Sequence, residues 1–358
     1  MNKQLIFIGE FSPIDENFKK LLTSEEFQSI FPFDEINLIP LKDDVSFDLK
    51  YGMFKVSFSK NLILKQKLSF DDILYKNSDN FFDKLNELKD SNDIKVIIGR
   101  EDFDKFNNLN CSKEIINTFG LNILKRKGFK NLKKSKNIHE YMFFEYVSSE
   151  IDEERFPTKA PKNIELTNFI VENKLYFAHE LSMLMKEKRY LHSYSVAKTA
   201  YEIAIKQFGF EVASKAYLAG LFHDCGKDLP ILKQQHISEH YYSMYMPCPS
   251  FAYHQFVSAY LAKVRFHILD DQILSAISFH CTGKACMTTL EKIIYSADKV
   301  EPTREFETKI EREECIKDIE KGFVLTLQSQ KKYFIERNMK YMEHFLSKEM
   351  YSMYMKEN

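Results

Sequence analysis

Near residue 160 the hydrophobic pattern of this chain switches from short alternating runs to a helical repeat. Before that point, "QLIFIGEF", "INLIPL", "DIKVIIG" and "LNILKRKG" read as strands, separated by amphipathic stretches such as "FFDKLNELKD". Strand and helix in alternation predict a parallel sheet covered by helices. After it, "YLHSYSVAKTAYEIAIKQFG" places Val196, Ala200, Ile203 and Ala204 at i, i+4, i+7 and i+8, and Gly209 stops the helix. "EVASKAYLAGLFHDCGK", "FVSAYLAKVRF", "DDQILSAISFH" and "LEKIIYSADKVEP" predict further helices, the last ended by Pro302. The tail "FVLTLQSQKKYFIERNMKYMEHFLSKEM" reads as a continuing helix. The expected fold class is therefore α/β plus all-α: an α/β domain over residues 1–157 and a helical domain over 162–358, joined through "DEERFPTKAPKN". A chain of 358 residues also exceeds what one hydrophobic core organises.

A formal charge of −1 provides no long-range field, so neither a nucleic-acid footprint nor a polybasic membrane anchor is expected. No apolar run approaches the roughly 18 residues of a membrane span, and "MNKQLIFIGEF" is too short for a signal peptide. The expected location is cytoplasmic. The six cysteines show no CxxC pair and read as reduced packing residues.

All ten histidines lie at or after His139, and eight of them fall between His179 and His280. One of these, in "YLAGLFHDCGKDLP", is followed directly by an aspartate inside an apolar stretch, where either group costs free energy to bury without a partner. Adjacent helical residues point about 100° apart, so His223 and Asp224 cannot complete a metal site alone. His192, His254, His280 and Asp298 stand in other predicted helices, the way bundles build metal sites. Four imidazoles and two carboxylates exceed one mononuclear site, so two ions sharing a carboxylate is the economical reading. Such ligands suit Fe, Mn, Co or Zn. His179, His236, His240 and His267 read as structural or solvated.

"RYLHSYSVA", "LFHDCGK", "YHQFVSAYLA", "SFHCTGK" and "EKIIYSADKVEPTR" occur in the order and spacing of the HD-domain family. Over about residues 165 to 305 the chain resembles its YqeK-type branch, the bacterial symmetrical diadenosine tetraphosphatases. That resemblance implies a dinuclear site, with iron as the metal, that cuts a dinucleoside tetraphosphate in the middle to give two ADP. It further implies His192, His223, Asp224 and Asp298 around one ion, His254 and His280 around the other, and Asp224 bridging. Two ions about 3.5–4 Å apart acidify a water and clamp phosphoryl oxygens, which is what phosphoanhydride hydrolysis requires. Asp224 and Lys227 are the expected catalytic residues. Lys227, Arg304 and Arg189 are expected to neutralise substrate phosphates, and Thr282 with Gly283 to admit a close backbone approach to one. Guanosine alarmones, deoxynucleotides and cyclic dinucleotides stay open as substrates, as does a sensor role. Oligomeric state is not legible.

The opening "IFIGEFSPIDENFKKLL" is similar to the start of nicotinate-nucleotide adenylyltransferases, matching at Gly9, Phe11, Pro13 and Ile14. Asp15 and Phe18 stand where that family has a His-x-x-His pair. "VIIGREDFDKF", with Asp102, and "FFEYVSSEIDEER", with Ser148 and Ser149, resemble its later motifs only in part. Fusion of the two domains resembles an arrangement found in mycoplasmas. An aspartate repels a triphosphate and a phenylalanine donates nothing to it, so the expectation is a domain silent for adenylyl transfer. The alternative is that it still makes nicotinate adenine dinucleotide.

Overall fold

The run Leu5-Ile6-Phe7-Ile8 presents apolar side chains on both faces of an extended chain, which only a strand covered on both sides can bury. The computed structural model describes residues 1–11, 16–59, 61–76, 78–125, 129–130, 132, 135–143, 157, 159–304, 308–337 and 343–355. In it this run is the buried middle of β1 (Asn2–Gly9). β2 (Glu35–Pro40), β3 (Leu68–Phe70), β4 (Asn92–Gly99), β5 (Leu121–Leu124) and β6 (Ile138–Tyr141) complete a sheet of order β3-β2-β1-β4-β5-β6. Every neighbouring pair is parallel, with Leu5 beside Ile36 on one side and Lys95 on the other. Alternation sends Leu5, Phe7 and Leu38 into one core with Phe18 and Leu22, and Ile6, Ile8 and Val96 into a second with Phe81 and Ile115.

The covering helices are α1 (Glu16–Thr23), α2 (Glu25–Ile30), α3 (Phe47–Ser57), α4 (Leu62–Lys67), α5 (Ile73–Lys76), α6 (Phe81–Lys89), α7 (Phe103–Asn107) and α8 (Ser112–Phe119). Lys50 of α3 is fully buried and donates to Glu10 O at 2.7 Å and Leu41 O at 2.8 Å, with Asp43 Oδ2 at 2.9 Å. These acceptors use the donors of an ammonium and tie together the chain just beyond β1 and β2. Two strands are absent from the sequence reading. β3 is three residues long, too short to show a period, and β6 is a polar, partly exposed edge. Pro13, Ile14, Asp15, Ser148 and Ser149 lie outside the described residues.

The chain divides into two compact units, Met1–Glu154 with Glu165–Phe169, and Arg155–Ile164 with Ile170–Asn358. Residues of α9 (Ile164–Glu172) fall in both units, and the rest of the second is helical: α10 (Phe177–Leu184), α11 (Glu187–Phe208), α12 (Phe210–Phe222), α13 (Ile231–Tyr241), α14 (Tyr253–Val264), α15 (Asp271–Ser278), α16 (Thr289–Val300), α17 (Lys309–Lys317), α18 (Ile319–Glu336) and α19 (Phe345–Tyr354). Two glycines set the closeness on which the site depends. A Cβ on Gly220 of α12 would stand 2.9 Å from Ala197 Cα of α11, and one on Gly226 would meet Val257 Cγ1 of α14 at 2.7 Å. The helix expected to run through "HDCGK" ends instead at Phe222, and residues 223–228 form turns. Gly226 N donates to Ser258 Oγ of α14 at 3.0 Å there, in place of the Phe222 carbonyl that a continued helix would offer it. The continuous tail helix is also corrected. It resolves into α18 and α19, with His344 as the N-cap of α19 accepting from Leu346 N. Among the described residues no helix is long and apolar enough to cross a membrane.

Candidate metal centre

Six side chains from five places along the chain converge in the helical unit. His192 lies in the second turn of α11, His223 and Asp224 follow α12, and His254 is the second residue of α14. His280 stands two residues beyond α15, and Asp298 lies in the last turn of α16. His223, Asp224, His254, His280 and Asp298 are buried. His192, His223 and Asp298 form one group whose donor atoms lie within 4.8 Å of one another, and His223, Asp224 and His280 form another.

The ring orientations are fixed from behind. Nδ1 of His223 donates to Gly220 O at 2.7 Å, Nδ1 of His254 to Phe251 O at 2.8 Å and Nδ1 of His280 to Ile277 O at 2.8 Å. A carbonyl oxygen only accepts, so each Nδ1 carries the proton and each Nε2 turns a lone pair inward. Those lone pairs face one another and the carboxylates. His254 Nε2 lies 3.1 Å from His280 Nε2 and 3.2 Å from Asp224 Oδ1, and His280 Nε2 is 3.6 Å from the same oxygen. His223 Nε2 is buried without a hydrogen-bond partner, 3.6 Å from Asp298 Oδ1 and 3.7 Å from Asp224 Oδ2.

Acceptors facing acceptors are repulsive unless a cation stands among them. Metal–ligand lengths of about 2.1 Å put neighbouring donors about 3.0–3.4 Å apart, close to these spacings. The orphaned Nε2 and the neutral-imidazole, carboxylate donor set therefore fit a divalent metal.

The protonation states agree with that fit. Burial alone would raise Asp224 and Asp298, yet both lie well below the usual carboxylate range, the second held there by Lys299 and Arg304 beside it. Burial lowers His254, and lowers His280 to about 3, so both rings are neutral. His192 differs. Burial opposes its charged form, but hydrogen bonds to Asp298 and Glu301 raise it to about 9, so a metal binding its Nε2 displaces a proton.

Four comparisons bear on this arrangement. The model of the HD domain matches residues 189–303. A Bacillus subtilis protein named bis(5'-nucleosyl)-tetraphosphatase, symmetrical, is 32% identical over 157 residues, which are 43% of this chain and 83% of that one. The chain belongs to the HD-domain family, in the branch of the symmetrical bis(5'-nucleosyl)-tetraphosphatases. A Mycoplasma genitalium protein named probable nicotinate-nucleotide adenylyltransferase/Ap4A hydrolase is 31% identical over 182 residues, 48% of this chain and 51% of that one. The match thus spans about half the length of that relative. The crystal structure of a predicted HD superfamily hydrolase involved in NAD metabolism from Clostridium acetobutylicum is 33% identical, with a TM-score of 0.45, over 49% of this chain and 94% of that one.

Within this HD-domain site, several residues expected at the substrate also bond the candidate ligands or the packing around them. Arg189 is held between two carboxylates, with Nη1 3.0 Å from Asp224 Oδ2 and Nε 2.9 Å from Asp228 Oδ2. Arg304, read from sequence as a phosphate contact, donates to Asp298 O at 2.7 Å and bonds Asp298 Oδ1. Thr282 is buried against Gln255, whose Oε1 accepts from Thr282 N at 3.1 Å. Gly283 adopts φ +63° and its Cα faces Met350 of α19, so it forms a turn under a packed helix. Lys227 remains partly exposed with Nζ 3.0 Å from Asp224 Oδ2.

Two residues escaped the sequence reading. Lys299 donates to Asp298 Oδ2 at 2.9 Å and to His280 O at 2.5 Å. Glu301 is buried. Its Oε1 accepts from His192 Nδ1 at 3.0 Å and its Oε2 from Thr303 N at 2.7 Å. Against the opposing effect of burial, these bonds hold its carboxyl at about 2. The only signal was position, since Glu301 follows Asp298 at i+3. A carboxylate behind a ligating imidazole fixes ring orientation and basicity. Glu301→Ala is expected to weaken metal retention about 10–100-fold, with Glu301→Gln intermediate. Metal content after dialysis against graded chelator checks this; retention equal to the wild type would remove Glu301 from the site.

Proposed function

We propose that the helical unit, over residues 162–358, is a metal-dependent hydrolase of diadenosine tetraphosphate that yields two ADP. We propose further that the unit over residues 1–157 is an adenylyltransferase-like domain silent for its own reaction. The observation that carries the first reading is the convergence of six donors beside a cleft of about 300 Å³ whose lining includes Lys227, Lys299 and Arg304. A polyanion requires such a concentration of positive charge at the reacting end. The names of the relatives supply the substrate.

In this reading His192, His223, Asp224 and Asp298 would hold one divalent ion, iron by family resemblance, and His254 and His280 a second. Asp224 could serve both groups, because Oδ1 faces His254 and His280 while Oδ2 lies on the side of His223. When bound, such a pair supplies an acidified water and neutralises phosphoryl oxygens. The chain's own residues do the rest. Lys227, at the cleft and hydrogen-bonded to Asp224, meets the negative charge that builds on the departing ADP. Arg189, Arg304 and Lys299 keep the two carboxylates ionised and aimed inward.

The test is product analysis with purified metal-loaded protein, His223→Ala being the control. ADP as sole product, absent in the variant, is the expected result. AMP with ATP would keep the hydrolase and overturn central cleavage, and no turnover would reject the substrate.

A further inference from the structure

The matched HD segment ends at residue 303, yet α19, more than forty residues later, grips the loop that carries the candidate donor His280. This loop joins α15 to α16, with His280 near its start. Ser347 Oγ donates to Thr282 O at 2.9 Å, and Met350 packs on Gly283. Met353 Sδ accepts from Cys286 N at 3.1 Å, and the Tyr354 hydroxyl accepts from Met287 N at 2.8 Å. Ser347, Met350 and Tyr354 recur at i, i+3 and i+7, so one face of α19 makes three of these four contacts.

The backbone of the loop needs such a grip. Gly283 at φ +63° and Cys286 at φ +52° both stand in the left-handed region, which is uncommon for any residue but glycine. Conformations of that kind persist where surrounding structure over-determines them. Thr282 is held from the other side as well. Gln255, fully buried and next in sequence to His254, accepts from Cys281 N at 3.2 Å and from Thr282 N at 3.1 Å. Thr282 therefore stands between α14 and α19, two residues after the imidazole whose Nε2 lies 3.1 Å from that of His254. We propose that α19 positions His280: Ser347 and Tyr354 pin the two ends of the loop and, through Thr282, hold the His280 imidazole at its spacing from His254. The proposal rests on the reading of these imidazoles as metal donors, and it makes chain outside the HD segment part of the affinity for metal.

Titration calorimetry of the metal-free full chain with Mn2+ tests it, with amide hydrogen exchange over residues 280–287 read on the same samples. Ser347→Ala and Tyr354→Phe each delete one hydroxyl and leave the helix packing in place. The double variant is expected to bind Mn2+ about tenfold more weakly, the lower end of what losing a group behind a metal ligand costs, and to exchange faster over 280–287. Lys348→Ala, on the exposed side of α19, is expected to match the wild type in both. Should the double variant not fold, the single variants carry the test at about threefold each. A helix that serves stability alone would lower the unfolding temperature of the metal-free variants and leave their Mn2+ affinity unchanged, and that result overturns the proposal. Faster exchange with unchanged affinity overturns it too. No Mn2+ binding by the wild type would reject the metal centre itself, whereas equal binding by wild type and variants rejects only the role of α19.

Discussion

Asp224→Asn is expected to lower kcat/KM for diadenosine tetraphosphate by about a thousandfold or more and to strip most of the bound metal. A centre of this kind supplies several kcal/mol of charge stabilisation, and each 1.4 kcal/mol is about tenfold. The substitution conserves shape, so the loss isolates charge. Asp224 is 1% exposed, and its two oxygens face His254, His280, Arg189 and Lys227, with His223 close by. A neutral amide there would leave the Arg189 and Lys227 cations without their shared anion and would turn hydrogens or a weak acceptor toward the imidazole lone pairs. Metal content by mass spectrometry and turnover by chromatography check the two halves separately. A variant that keeps both would mean that Asp224 only neutralises its cationic neighbours.

With ATP and nicotinate mononucleotide, the full chain is expected to form deamido-NAD about ten-thousandfold more slowly than an active adenylyltransferase assayed alongside. Removing one transition-state donor costs about a hundredfold or more, and the resemblance places two of them at Asp15 and Phe18. Asp15 lies outside the described residues. Phe18 is decided by its surroundings: it is 5% exposed, with its ring edge-on to Phe7 at 4.8 Å and against Phe11 at 5.7 Å. That side chain belongs to the core of the sheet. Beyond the carboxyl ends of β1 and β4, where a doubly wound sheet binds ligands, Asp102 Oδ2 accepts from Glu10 N at 3.2 Å and Glu10 pairs with Lys105. Two carboxylates in that crevice oppose a triphosphate. Dinucleotide formation within a hundredfold of the active enzyme would refute the silent domain.

The amino-acid sequence by itself determined the two fold classes and singled out six candidate donors, because both follow from residue type and period. A strand buried on both faces must read as an unbroken apolar run, as β1 and β4 do, and a metal selects imidazole and carboxylate wherever the helices place them. Short or edge elements carry no such requirement, which is why β3 and β6 were not legible. Only the tertiary structure decided what each cation does. Arg189 and Arg304 look alike in sequence as candidates for phosphate, but a long charged side chain has many rotamers, and the packing of α11 and α16 selects those that reach Asp224 and Asp298. The same holds for Glu301 behind His192. The pairings of Arg189 with Asp224 and of Glu301 with His192 join residues distant along the chain, and they exist only because helix packing brings their side chains together, so no local pattern announces them.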